Sequence, residues 1–312
     1  MVSIFEIGFI TTWLAASMRL TGPLLLASLG ELYSERAGVL NVGIEGTILL
    51  GALGAYLGAI WMNSSWVGVL IAIITGLIFN IFLAWMYVIV KASQVVVGII
   101  FNVLAYGLAA YSFRALMGDV PKIISAPMLP EIKVPVLSEI PIIGKMVFEQ
   151  SVMLYITLVL AVIAGLILFK TRFGLNLRAV GENPKSAASA GTDVVRMRII
   201  GVLISGFGGG LAGAYFVLVQ IGVFRETIVQ GRGFIALGIV ILARWNPYLA
   251  VFAAFGFASM DALPLSLQLL DLQIAPQFLV ALPYVLTVFA VSGLLGKSRN
   301  PESLMVPYEK DR

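Results

Sequence analysis

The sequence predicts an all-α polytopic membrane protein of roughly ten membrane segments, some of them short or re-entrant. Three observations carry that expectation. Mean hydropathy is +1.02 and 12% of the residues are charged, a balance outside the range of water-soluble domains. Apolar runs near the length of about 20 residues needed to cross a hydrocarbon core recur along the chain. Lys and Arg cluster in links between alternate runs and in the tail, which assigns those links and both the N- and C-termini to the cytoplasmic side. The net charge of +4 thus reflects orientation, and no nucleic acid polymer is expected as a partner. Cysteine and histidine are absent, which removes disulfides, thiol chemistry, His-ligated metals and the usual general base. With no charged n-region and no small-residue cleavage site, the N-terminus is not expected to be a removable signal peptide.

Residues 7–18 and 20–32 are two short apolar runs separated by Arg19, with Gly22-Pro23 near the start of the second; one broken span is the alternative. A polar link follows at 31–45. Residues 44–61 form the third run, Asn63-Ser64-Ser65 an exterior turn, and 66–90 the fourth run, closed by Lys91. The fifth, 94–117, carries Asn102, Tyr106, Tyr111 and Ser112, polar groups suited to lining a pathway. Residues 118–150 are the expected extracytoplasmic loop, in which the amphipathic stretch 122–137 would lie along the membrane surface or carry a partner site. The sixth run is 151–170 and the seventh 198–221. Gly206 with Gly210, and Gly209 with Gly213, have the small-xxx-small spacing that lets helix backbones approach, at the risk of a local break.

Residues 234–243 are too few to cross a core of about 30 Å at about 1.5 Å per residue, so they read as a short or re-entrant segment before a run back at 248–263. The last run is 277–295, interrupted by Pro283. The membrane domain thus covers 1–296, and 297–312 is a charged cytoplasmic tail expected to be loosely ordered. Gly293 to Ser298 mimics a phosphate-binding loop, but two residues separate its glycines where four are needed.

The polar island 171–198 has a readable local code. Lys170, Arg172, Arg178, Lys185, Arg196 and Arg198 outnumber Glu182 and Asp193, which marks it cytoplasmic. Asn183 suits an N-cap, Pro184 the first helical position, and Gly191 the left-handed residue past the last turn. A helix of about two turns is too short to stand alone, so it needs a surface to lie against. A slim plug for a partner's groove and an ordinary capped loop both fit that description.

Glu35, Arg36, Asn41 and Glu45 crowd the link near membrane depth, where charges face a cavity or each other. Being adjacent, Glu35 and Arg36 should reach different partners. Arg232 should meet a carbonyl end or a partner, while Asp261 reads as interfacial with no assigned role. Asn41, Asn102, Gln220 and the tyrosines suit neutral hydrogen bonding to a passing solute. Neither paired carboxylates, a metal cluster nor a Ser-His-Asp set is present, so the chain offers no catalytic machinery of its own. A transport permease leads, with a self-contained secondary carrier or channel as the rival class and an intramembrane enzyme remote.

Four blocks, ERAGVLNVGIEGTILLGALGAY, ASQVVVGIIFNVLAYGL, FGLNLRAVGENPKSAASAGTDV and GRGFIALGIVILARWNP, resemble the permease subunits of ABC importers. The branch is the one holding branched-chain amino acid, ribose and nucleoside permeases, and the likeness is greatest to the shorter nucleoside (simple-sugar-type) permease subunit. The resemblance implies an importer in the plasma membrane of a prokaryote, with nucleosides as the expected solute and ribose-like sugars or branched-chain amino acids as alternatives. It implies three partners: a second permease subunit (a different chain), a cytoplasmic ABC ATPase that hydrolyses the ATP, and an extracytoplasmic substrate-binding lipoprotein. No cofactor is expected on this chain. Gly181, Glu182, Asn183, Pro184, Ala187, Ala190 and Gly191 match the family's cytoplasmic coupling segment and become ATPase-docking candidates. Asn41, Glu45, Asn102 and Gln220 are the candidates for the substrate path.

Overall fold

The fold is built around one glycine-rich helix. The computed structural model describes residues 7–118, 124–268 and 300–309, with single positions at 278, 281 and 285. The elements in order are α1 (Ile7–Arg36), α2 (Ile44–Met62), α3 (Ser65–Ala84), α4 (Gln94–Met117), β1 (Glu131–Lys133), α5 (Ile143–Val147), β2 (Glu149–Ser151), α6 (Val152–Lys170), α7 (Arg172–Glu182), α8 (Pro184–Ser189), α9 (Val194–Tyr215), α10 (Arg232–Leu242) and α11 (Pro247–Gln268). Single π-helical turns extend α3 through Ile89 and α9 through Ile221. Six of these helices are long and apolar enough to cross a membrane. The expected last run at 277–295 falls almost wholly outside the described residues.

α9 stands in the middle, against α1, α2 and α3. Glycine meets glycine at each crossing. A Cβ on Gly51 would lie 2.9 Å from the Gly210 Cα, and one on Gly30 3.1 Å from the Gly208 Cα. A Cβ on Gly76 would strike the Gly206 carbonyl. Without side chains in the way the backbones close together, and dispersion and tight polar contacts replace the hydrophobic drive that lipid cannot supply. The glycines do not break α9; its irregular turn comes later, at Phe216–Ile221, and ends at Gly222 with φ +76°. The opposite faces of α3, α4 and α6 expose Leu70, Ile78, Ile99, Val103, Val159 and Leu166, as surfaces turned to lipid do.

Two expectations are corrected, and a third segment is placed. The two N-terminal runs are one helix of 30 residues, α1, which passes through Pro23 and continues to Arg36. The link to α2 therefore shrinks to 37–43. Proline removes the hydrogen bond to the carbonyl four residues back, and here the Gln220 amide reaches that carbonyl, on Arg19, at 3.5 Å. The amphipathic part of the 118–150 loop, expected along the membrane surface or at a partner site, is pinned to the end of α9. Its backbone N–H groups at Ala126 and Leu129 donate to Gly222 and Leu218 at the end of α9, and β1 pairs antiparallel with β2, Glu131 opposite Ser151. Lys133 and Glu149 form an ion pair across that hairpin. The shared hydrogen bond raises the Lys133 pKa and lowers that of Glu149. Second, the tail is not loose: residues 300–309 fold back, with Pro301 and Ser303 buried. The short segment expected at 234–243 is present as α10, 11 residues long.

The glycine contacts generate a test. A Cβ on Gly213 would collide with the Ala52 backbone nitrogen and the Ile48 carbonyl, whereas one on Gly107 meets nothing within 4 Å. Gly213→Ala should destabilise by about 1–3 kcal/mol and lower the melting temperature of the detergent-solubilised protein, while Gly107→Ala leaves it unchanged or raises it.

Candidate functional site

Where α1 stops and α2 begins, the backbone is interrupted among apolar helices, and every freed polar group there must find a partner. Glu31, on the last turns of α1, supplies two acceptors. Its Oε1 accepts the Asn41 backbone N–H at 2.7 Å and its Oε2 accepts the Ser205 hydroxyl of α9 at 2.8 Å. Asn41 completes the knot by donating its amide to Asn80 Oδ1 (2.8 Å) and Ser205 Oγ (3.0 Å), and by accepting from the Gly43 N–H (3.1 Å). The Asn80 amide donates to Thr47 Oγ1 and to the Gly76 carbonyl, both at 2.9 Å. Glu31, Asn41, Asn80, Thr47 and Ser205 are all fully buried. Five segments (α1, the link, α2, α3 and α9) are thereby tied at one point.

Two further candidates hold the start of α2. Asn102 of α4 accepts the Gly46 N–H at 2.9 Å and donates to the Val42 carbonyl at 3.0 Å. Glu45 reaches across to the start of α10, accepting the N–H groups of Gly231 and Gly233, each at 2.7 Å, and the Tyr106 hydroxyl at 3.2 Å. α10 has no side-chain cap of its own; the Glu45 carboxylate satisfies its free N–H groups and opposes the positive end of its dipole. Gly233 leaves room for this, since a Cβ there would sit 2.6 Å from the Glu45 Cα.

Asn41, Glu45 and Asn102 therefore converge on one end of α2. Gln220 lies elsewhere: its carbonyl partner Arg19 is 12 residues before Glu31 on α1, roughly 18 Å at about 1.5 Å per residue. On α4, one turn beyond Tyr106, a depression of about 610 Å³ is bordered by Gly107, Tyr111 and Arg114, with Arg114 3.5 Å from Glu226.

The last turn of α1 serves the other break. Glu35 accepts the Trp245 indole N–H at 2.6 Å, and Arg36 donates to the Trp245 carbonyl at 3.1 Å and lies 3.8 Å from Glu182. The two neighbours do turn to different partners, and together they fix the α10–α11 turn, where Arg244 and Trp245 take φ near +53° and +54°. Arg232 donates to the Ile228 carbonyl at 3.3 Å and to Asp261 at 3.0 Å, which gives that aspartate a role the sequence did not reveal.

At the same end of the bundle stands the capped element. Asn183 accepts the Ser186 N–H at 3.0 Å, Pro184 opens α8, and Gly191 has φ +86°. Each cap sits where the sequence puts it. α7 before it was not foreseen, although Phe173, Leu177 and Val180 mark one helical face and Thr171 caps it through Gly174 N. Among the docking candidates Glu182, Asn183, Ala190 and Gly191 are exposed, Pro184 half-buried, and Gly181 and Ala187 buried. Ala187 packs in a small cluster with Val180 and Val194; a Cβ on Gly181 would strike the Arg36 carbonyl. The outward face of α8 also presents Lys185, Ser186 and Ser189. Among the described residues there is no cluster of three metal-ligating side chains.

Apolar helices on a glycine-packed post, with breaks and carboxylates turned inward, define a multi-pass membrane protein of the transporter class. The chain belongs to the family described as branched-chain amino acid transport system / permease component, whose model matches residues 13–294. It is 34% identical to the guanosine ABC transporter permease protein NupQ of Bacillus subtilis (strain 168), over 95% of this chain and 96% of that one. It is also 34% identical to the nucleoside ABC transporter permease protein NupC of Lactococcus lactis subsp. cremoris (strain MG1363), over 93% of this chain and 94% of that one. Each of those organisms contributes a second, more distant relative of the same description, NupP at 26% and NupB at 23% identity, so these permeases come in pairs. Among solved structures, an inward-facing conformation of a putative metal-chelate type ABC transporter matches with a TM-score of 0.53 at 17% identity, over 91% of this chain and 85% of that one. That last likeness is one of fold.

The polar knot should be costly to open. Asn41→Leu leaves Asn80 Oδ1 without its donor at a buried site, a loss of about 1–3 kcal/mol per orphaned group. The expected result is a lower melting temperature in detergent, with Gln220→Ala, half-buried and on a long bond, close to wild type.

Proposed function

We propose that this chain is a permease subunit of an ATP-binding-cassette importer that moves nucleosides across the plasma membrane of a prokaryote. The observation that carries the mechanism is α8. It is a preset two-turn helix whose inner side is seated on the chain through Ala187 and whose outer side is open. A helix this short has no stability of its own, so its caps and its seat hold a contact surface ready. A cytoplasmic ATPase supplies the matching groove and the hydrolysis, and this chain needs no cofactor. Asn183, Ser186, Ser189, Ala190 and Gly191 form the docking face, with Gly181 and Ala187 as its seat. Sequence similarity to guanosine and nucleoside permeases over nearly the full chain supports the solute class, and the paired relatives support a second, different permease beside this one. A substrate-binding lipoprotein delivers the solute to the end of the bundle that carries the 118–150 loop. In this scheme Asn41, Glu45 and Asn102 shape the path by holding α2 and α10, and Tyr111 with Arg114 stands at its outer mouth.

Two measurements test this. Ser189→Arg with Ala190→Arg adds two bulky cations at exposed positions, so the permease should still be produced while the ATPase no longer co-purifies and uptake falls at least about tenfold. Uptake of labelled guanosine in a strain lacking its own nucleoside importers should be blocked by excess adenosine or uridine and unaffected by leucine, ribose or glucose. Block by leucine or a sugar alone would overturn the nucleoside assignment.

A further inference from the structure

The segment 300–309, expected to be loose, packs beside α7 and α8. Ser303 makes the central contacts. Its backbone N–H and its hydroxyl both donate to the Gly181 carbonyl, at 2.9 and 2.6 Å, with the Val180 carbonyl 3.1 Å from the same hydroxyl. These carbonyls belong to the last turn of α7, which has no intrahelical donors left for them. Two residues on, the Met305 N–H donates to the Gly38 carbonyl of the α1–α2 link at 3.1 Å. Arg198, at the start of α9, donates to the Val306 carbonyl at 2.8 Å and approaches Ser303 Oγ at 3.4 Å. Its guanidinium is buried, and among the described residues it donates to these two groups of the tail. Leu304 packs against the cluster that holds Leu32, Leu168 and Trp245, and Tyr308 against the one that holds Ala187.

We infer that residues 301–308 are a strap that bolts the α7–α8–α9 coupling element to the α1–α2 link, with Ser303 and Arg198 as positioning residues for coupling. The inference rests on α8 being the ATPase contact and deepens that assignment. α8 is seated on the chain through two small side chains, Ala187 and Ala188, a shallow seat on which a two-turn helix would rock under load. The strap joins three elements around it, the end of α7 at Gly181, the start of α9 at Arg198, and the link at Gly38. Gly38 is three residues from Asn41, which holds the buried knot. A push on α8 is thus delivered to the link, where α1, α2, α3 and α9 meet.

The experiment uses the assembled importer in proteoliposomes and reads three quantities: ATPase recovered with the permease, ATP hydrolysis, and nucleoside taken up per ATP hydrolysed. The variants are a chain ending at Asn300, and Ser303→Ala with Arg198→Gln in the full chain. Each should retain the ATPase and hydrolyse ATP while uptake per ATP falls about tenfold, the scale of one lost buried charge-assisted bond. Uptake per ATP equal to wild type overturns the inference. So does a fall in uptake matched by an equal fall in ATPase recovered, which would make the strap a support of the fold alone. Should the shortened chain not accumulate, the double variant decides. A thiol probe reads the strap without reference to the ATPase, since the chain has no cysteine. Ser303→Cys should react with a maleimide at least about tenfold more slowly than Glu309→Cys, because the first position is buried and the second exposed; equal rates overturn the docked strap. If instead Ser189→Arg with Ala190→Arg leaves the ATPase bound, the contact on α8 is what fails, and the maleimide result still stands or falls by itself.

Discussion

A backbone break at membrane depth must satisfy its own polar groups, and this bundle meets that constraint with one carboxylate at each break. Glu31 serves the gap between α1 and α2, Glu45 the start of α10, and Glu35 the turn between α10 and α11. Each accepts donors from a segment distant in sequence, so each is a tie as well as a cap. In a medium of low dielectric an unmet N–H or amide is costly, so these three ties fix where the irregular segments lie. A secondary carrier would be expected to hold its intramembrane acids ready for exchange with a proton or ion. Here Glu31 and Glu45 are committed on both oxygens to donors inside the chain.

The ties work only because the helices are close. Asn80 reaches both Thr47 and Asn41 because α3 and α2 crowd against the bare faces of α9, where glycine opposes glycine. A larger residue at Gly76 or Gly206 would part α3 from α9 and stretch those bonds out of range, since hydrogen bonds weaken steeply with misalignment and distance. Packing and polar satisfaction are thus one constraint seen from two sides. Small residues set the spacing, and the lone asparagines and serines exploit it.

Which features were legible in the sequence follows from this. Features with local causes were plain: the six spans between residues 44 and 264, the small-residue spacing of α9, and the capping of α8 by Asn183, Pro184 and Gly191. Features caused at long range were not. Pro23 signals a break, yet α1 runs through it, and the carbonyl that proline frees is approached by Gln220, two hundred positions on. Asn80 and Ser205 are single polar residues in apolar runs, and nothing nearby shows that they share a partner in Asn41. The strap has the composition of a loose tail, and its order comes from Gly38, Gly181 and Arg198. Asn41, Glu45 and Asn102 are buried, and the sequence could not show that their polar atoms are taken up by partners within this chain. α7 is the exception, a miss with a local signal, because its apolar stripe at Phe173, Leu177 and Val180 has helical spacing.

The base of α7 is stiff. Gly181 lets α7 rest directly on the Arg36 carbonyl, with no side chain between the two backbones to deform. The guanidinium of the same Arg36 lies toward Glu182 on one side and the Trp245 carbonyl on the other. Trp245 in turn gives its indole N–H to Glu35, one residue back. α7, the end of α1 and the α10–α11 turn therefore form a closed loop of backbone and charged contacts, and none of the three can shift without breaking a bond held by another. Such a base suits discrete rearrangement rather than gradual bending, since packed elements joined by specific polar contacts have few intermediate states of comparable energy. Motion of α7 would then carry α1 and the α10–α11 turn along with it, and Glu31 and Glu35 place the two break-closing ties one turn apart on that helix.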